Sequence, residues 1–141
     1  MLYVDTSVIV PLLTLEPSSE RVAAWFASLQ EIPVSADWLL TEFASAISIK
    51  VRTGQLSELA AKAVHKEFKL LASSGLRLVP VSRTAFKVAA DLTQTPIHGL
   101  RAGDALHLAV AHEAGVKAIA TLDRMMAKNA KRLKISPVNF T

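Results

Sequence analysis

Four carboxylates stand where an apolar chain has little reason to put them. Asp5 closes the strand-like stretch "LYVD" at the N-terminus. Glu42 is the only charged residue between Asp37 and Lys50, and at helical spacing it shares a stripe with Leu39, Ala46 and Ile49. Asp104 opens the nearly all-apolar segment "DALHLAVA", in line with Leu108 and Ala111, and Asp123 directly follows "KAIATL". A buried carboxylate is costly unless it is paired or holds something. Four of them sharing one place repel unless cations neutralise them. Oxygen-only ligands without histidine or cysteine favour a hard cation, Mg²⁺ or Mn²⁺. Such ions commonly act on phosphate groups, activating water and stabilising developing charge. The hydroxyls of Thr6, Ser7 and Thr121 stand beside two of these positions, Asp5 and Asp123, suited to orienting ligands or water.

Three of the four acids also have a structural role open to them. Asp5 and Asp123 are placed to cap the helices that follow, and Asp104 suits the positive end of a helix dipole. Glu42 has no such alternative. The remaining acids are ordinary: Glu16 and Glu20 lie near a helix start, Asp37 is an N-cap candidate, and Glu67, Asp91 and Glu113 lie on helices beside polar neighbours.

Short strands are expected at "LYVD", "LRLVPV", "KAIATL" and "SPVNF". Helices are expected over "PSSERVAAWFASLQ", over "VSADWLLTEFASAISIKVRTG" from about Asp37 to a stop at Gly54, and over "SELAAKAVHKEFKLLASSG" between Ser57 and Gly75. Further helices cover "RTAFKVAADLTQT", ended by Pro96, then "RAGDALHLAVAHEAG" and "RMMAKNAKRLK". The run Val8–Val10 shares the strand-like taste of the N-terminus. Alternation of strands and helices implies an α/β fold, a short central parallel sheet covered by helices on both faces. In such sheets ligands bind beyond the carboxyl ends of the strands, where Asp5 and Asp123 both fall.

At 141 residues, without repeats or a Pro/Gly-rich linker, the chain reads as one domain, 1–141. It is 51% hydrophobic with only 6% aromatics, so the core is aliphatic. No apolar run approaches the roughly 20 residues that span a bilayer, and no basic leader precedes the first apolar stretch, so neither membrane anchor nor signal peptide is expected. The absence of cysteine excludes disulfides, thiolate metal sites and cysteine nucleophiles, and agrees with a cytoplasmic location. A net charge of +4 is compatible with nucleic acid. Arg124, Lys128, Lys131 and Arg132 form a helical stripe that would suit phosphates. The high apolar fraction, with adjacent Trp25 and Phe26, suggests a face covered by another chain, as in a homodimer. His107 and His112, five apart, share no helix face, and His107 is expected in or near the core. No GxSxG, Walker loop or GxGxxG occurs. An aspartyl-phosphate phosphatase would want Asp at position seven, occupied by Ser7, and a receiver domain would want an acid on "LRLVPV".

"VDTSVIV", "TEFASAI", "LRAGDALHLAVA" and "ATLDRMMAKNAKRL", in this order over essentially the whole chain, resemble a PIN-domain ribonuclease, and more narrowly the toxin of a VapBC-type toxin–antitoxin pair. The resemblance carries the family's acidic quartet onto Asp5, Glu42, Asp104 and Asp123, and its small hydroxyl positions onto Thr6, Ser7 and Thr121. It implies Mg²⁺-dependent RNA cleavage, homodimerisation and neutralisation by a small antitoxin protein. The competing reading is a non-catalytic nucleic-acid-binding or scaffold domain of the same fold.

Overall fold

The computed structural model describes residues 1–140; Thr141, the last residue of the expected domain, lies outside them. Five short strands build one parallel sheet: β1 (Leu2–Val4), β2 (Val34–Ala36), β3 (Arg77–Val79), β4 (Ala118–Ala120) and β5 (Ser136–Pro137). Their spatial order is β3-β2-β1-β4-β5. The chain therefore builds outward from β1 in one direction, then crosses β1 and builds outward in the other. Tyr3 registers with Val34 on one side and Ile119 on the other. This reversal between β1 and β4 opens a crevice at the carboxyl ends of these two strands.

Alternation along the strands sorts the core into two halves. Tyr3, Val34, Ala36 and Ile119 pack with α5 (Arg83–Thr93), α6 (Ala102–Glu113) and α7 (Arg124–Arg132). Val4 and Ala120 face α1 (Thr6–Leu13), α2 (Ser19–Ala27), α3 (Trp38–Arg52) and α4 (Glu58–Leu70). Phe43 of α3 stacks on Phe68 of α4, with ring centroids 4.0 Å apart and planes within 10°. Burial of side chains of this size contributes about 1.5–3 kcal/mol each. Among the described residues no helix is long and apolar enough to cross a membrane.

Several boundaries differ from the sequence reading. "VSA" is not the lead-in to a helix but the fully buried strand β2. Its Ser35 hides the strand pattern, yet the hydroxyl is satisfied by donating to the Val4 carbonyl at 2.7 Å. Val8–Val10 belong to a helix, α1, which even tolerates Pro11; all four residues are buried, and packing overrides the β-branched preference. "SPVNF" contributes only the two residues of β5. Ser57 caps α4 as expected, accepting from the Ala60 amide, whereas Asp37 occupies its N-cap position without a side-chain bond. Past Leu70 the helix widens into a π-helical turn, Leu71–Gly75. Trp25 and Phe26 are both half-buried within their own chain, Trp25 packing edge-on against Phe140 at 5.1 Å.

Candidate active site

Asp5 is the first residue beyond β1 and only 3% exposed. Each of its oxygens is held by a hydroxyl. Ser7 donates to Oδ1 at 2.6 Å and Thr121 donates to Oδ2 at 2.5 Å. Those hydroxyls also accept from the turn after β4: the Leu122 amide donates to Ser7 Oγ at 2.8 Å and the Asp123 amide to Thr121 Oγ1 at 3.1 Å. One network thus ties the end of β1 to the end of β4. Burial pushes the Asp5 pKa up, and it stays raised although His107 and the two hydroxyl donors oppose the shift.

Glu42 comes from α3. The buried stripe of that helix is Leu39, Phe43 and Ile47. Glu42, Ala46 and Ile49 flank it and line an open crevice of about 500 Å³ with Thr6, Trp38, Arg101 and Asp104. The stripe expected for Glu42 is therefore a crevice wall, of which only Leu39 belongs to the core. Thr6 donates to Glu42 Oε1 at 2.6 Å, and His107 Nε2 meets the same oxygen at 2.5 Å. Burial alone would raise the Glu42 pKa. The hydrogen bond and charge of His107 outweigh it, with Thr6 and the Trp38 indole adding to them, so the pKa is lowered. That indole N–H is buried and makes no well-formed hydrogen bond of its own.

Asp104 sits in the first turn of α6 and Asp123 at the N-cap of α7, where Oδ1 accepts from the Met126 amide at 2.8 Å. The Arg101 guanidinium lies between them, 3.9 Å from Asp104 and 3.8 Å from Asp123. Arg101 is 82% exposed, so these contacts are weak. Burial raises the Asp104 pKa to about 6; the charge of Asp123 adds to this, as do those of Asp5 and Glu42, while Arg101 opposes. The four acids, drawn from four separate segments, therefore act within one electrostatic field.

All seven residues singled out in the sequence lie around the carboxyl ends of β1 and β4. Asp123 serves as a helix cap as well. Among the described residues, no three acid or histidine side chains form a ready-made metal cage as they stand. His107 is buried as expected, and backs Glu42 together with Tyr3. Four participants escaped the sequence reading: Tyr3, then Trp38 and Arg101, which both line the crevice, and Gly103, which makes room. A Cβ at position 103 would lie 2.7 Å from Glu42 Oε2. His107 stands one helical turn after Asp104, and Tyr3 two strand positions before Asp5; those spacings were the available signals. The basic residues Arg124, Lys128, Lys131 and Arg132 are all exposed on α7, the helix that Asp123 caps.

A doubly wound parallel sheet with an acidic crevice at its switch point defines the class of protein. The family model of the PIN domain matches residues 2–132, and the chain belongs to the PIN domain family. No curated protein matches it in sequence. Among solved structures it is similar to FitAcB from Neisseria gonorrhoeae, at 21% identity over 99% of this chain and 98% of that one, with a TM-score of 0.75. It is also similar to VapC20 of Mycobacterium tuberculosis, a sarcin–ricin-loop-cleaving toxin, at 19% identity over 92% and 95% of the two chains, with a TM-score of 0.74. A Pyrobaculum aerophilum protein shares 19% identity over 97% of this chain and 83% of its own, with a TM-score of 0.66. At such identities the likeness is one of fold.

Proposed function

We propose that this chain is a divalent-metal-dependent endoribonuclease and the toxin of a toxin–antitoxin pair. The observation that carries the reading is the gathering of Asp5, Glu42, Asp104 and Asp123 at the β1–β4 switch point, with Asp104 raised to about 6 by burial and by its acidic neighbours. Family membership supports it, as does the likeness in fold to the toxin VapC20 and to FitAB, a protein solved bound to a DNA fragment.

The donor chemistry suits Mg²⁺, with Mn²⁺ as a substitute: four carboxylates, no thiolate, and a repulsion that a hard cation relieves. Asp5, Glu42, Asp104 and Asp123 would hold the ion. When bound it supplies a lowered pKa for a coordinated water and charge neutralisation at a phosphate. The chain's own residues prepare that chemistry. Ser7 and Thr121 fix both oxygens of Asp5, and Thr6 fixes Glu42. Arg101 stands at the crevice mouth, where a guanidinium suits a phosphate oxygen. The exposed cations of α7 would carry the flanking RNA backbone.

A homodimer and a small antitoxin partner complete the reading. Light scattering showing a strict monomer at micromolar concentration would count against the dimer. The decisive experiment is RNA cleavage with Mg²⁺, with Mn²⁺ and with EDTA, for wild type, Asp5→Asn and Asp104→Asn. Cleavage that needs metal and falls by at least about a hundredfold in either variant supports the assignment, since metal catalysis is worth several kcal/mol. Cleavage that survives chelation, or full activity in both variants, leaves the non-catalytic nucleic-acid-binding domain as the better reading.

A further inference from the structure

We propose that His107 is a positioning residue for Glu42: its Nε2 pins one carboxylate oxygen, and Tyr3 fixes which ring nitrogen carries the proton. The proposal rests on reading the acidic crevice as a cation site.

His107 is 1% exposed, on a helix whose other buried residues are Ala105, Leu108, Ala109, Val110 and Ala111. A leucine would fill that place with no polar group to desolvate. The imidazole instead spends both nitrogens on side chains. Nδ1 lies 2.6 Å from the Tyr3 hydroxyl, and Nε2 lies 2.5 Å from Glu42 Oε1 and 3.2 Å from Thr6 Oγ1. Tyr3 is fully buried, and its ring meets the imidazole edge-on at 5.7 Å and 70°. Packing on that face and bonds at both nitrogens leave the ring one orientation.

The hydrogen-bond inventory then assigns the protons. An ionised carboxylate only accepts, so Nε2 must donate to Glu42. A neutral ring that donates from Nε2 accepts at Nδ1, and the Tyr3 hydroxyl then donates to it. Glu42 Oε1 thus receives two donors, Thr6 from the start of α1 and His107 from α6. Oε2 takes part in neither bond and lies beside Gly103, on the crevice wall shared with Asp104. The chain Tyr3–His107–Glu42 links the sheet to the crevice and leaves Oε2 of Glu42 outside both bonds, on the wall that Glu42 shares with Asp104. Partners of this kind, one bond behind a metal ligand, typically change metal affinity or activity by 10–100-fold when lost.

The test uses the full chain, Mn²⁺ binding by calorimetry, RNA cleavage, and the ¹⁵N spectrum of His107 at pH 8. In wild type the proton should reside on Nε2. His107→Leu should weaken Mn²⁺ binding by about 10–100-fold and lower kcat more than it raises KM. His107→Gln, whose amide N–H reaches the place of Nε2, should recover most of both. Tyr3→Phe, which removes only the hydroxyl, should give an intermediate loss, and it and the Gln variant carry the test should His107→Leu fail to fold. Wild-type Mn²⁺ affinity in a folded His107→Leu, no recovery in His107→Gln, or a wild-type proton on Nδ1 overturns the proposal. A wild type that neither binds Mn²⁺ nor cleaves RNA sinks the nuclease reading instead, and the nitrogen spectrum still decides the bond between His107 and Glu42.

Discussion

Thr121 Oγ1 donates to Asp5 Oδ2 at 2.5 Å, joining residues 116 positions apart. The bond crosses from the end of β4 to the end of β1, the two strands that flank the switch point. It opposes the burial that raises the Asp5 pKa, favouring the charged form. Thr121→Val keeps the shape and deletes the donor. A hydrogen bond to a charged group contributes about 1.5–3 kcal/mol, so the variant should lose on the order of 2 kcal/mol at neutral pH. Thr121→Ser should lose much less. Urea unfolding of the three proteins checks this. Equal stability of Val and wild type would mean that Thr121 does not support the charged form of Asp5.

Asp104 supplies the pH dependence. Its folded pKa of about 6 stands above the ordinary aspartate value of about 3.9. Between those values the folded chain holds a proton that the unfolded chain has lost. Stability without metal should therefore fall as pH rises from about 4 to about 6, then level off, by on the order of 2 kcal/mol. Asp104→Asn removes that loss. It should melt higher than wild type in EDTA at pH 7, by about 5 °C, and gain less from millimolar Mg²⁺ or Mn²⁺. An Asp that merely favours its helix dipole would behave oppositely. A lower EDTA melting point for Asp104→Asn, with equal metal shifts in both proteins, would refute the crowded-carboxylate account.

How far the sequence discloses this site depends on the kind of signal. Asp5, Asp104 and Asp123 are legible because each interrupts or ends an apolar pattern, and their common location follows from the rule for parallel sheets. Glu42 is legible as an anomaly, but its stripe is misread: apolar Ala46 and Ile49 line a crevice, and periodicity cannot tell a crevice wall from a core. The strand β2 is too short to show alternation, and Ser35 masks it. α1 looks like strand because Val8–Val10 are β-branched, and only their burial by the surrounding helices decides otherwise. Gly103, Trp38 and Arg101 owe their roles to distances between elements far apart in the chain, which no local pattern encodes.

The basic stripe of α7 yields a prediction about binding rather than chemistry. Lys128 and Lys131 are exposed and lie three residues apart on a helix whose N-cap is Asp123. Phosphate contacts release counterions, at a slope of about 0.7 per contact for single strands. Lys128→Gln with Lys131→Gln should weaken binding to unrelated RNAs alike and flatten the salt dependence by about one unit. Filter binding of an uncleaved RNA, with EDTA present, measures both. Unchanged affinity and slope would make the stripe an ordinary solvated face.

Gly103 separates function from stability most cleanly. It lies in the first turn of α6, where alanine is the better helix former by up to about 1 kcal/mol. A Cβ there would stand 2.7 Å from Glu42 Oε2 and 3.3 Å from Trp38 Nε1. The carboxylate is the end of a flexible side chain, so it yields more readily than the backbone. It yields, however, against the bonds that Thr6 and His107 make to Oε1. Gly103→Ala should therefore keep its folding stability within about 1 kcal/mol of wild type, the helix gain offsetting the displacement. Its cost should fall on catalysis, because misplacing a reacting or ligating group by about 1 Å can cost a hundredfold. Cleavage lowered by between tenfold and a hundredfold, at a nearly unchanged melting temperature, is the expected pair of results. Wild-type cleavage from a Gly103→Ala protein of equal or higher stability would show that Glu42 need not stand where it does.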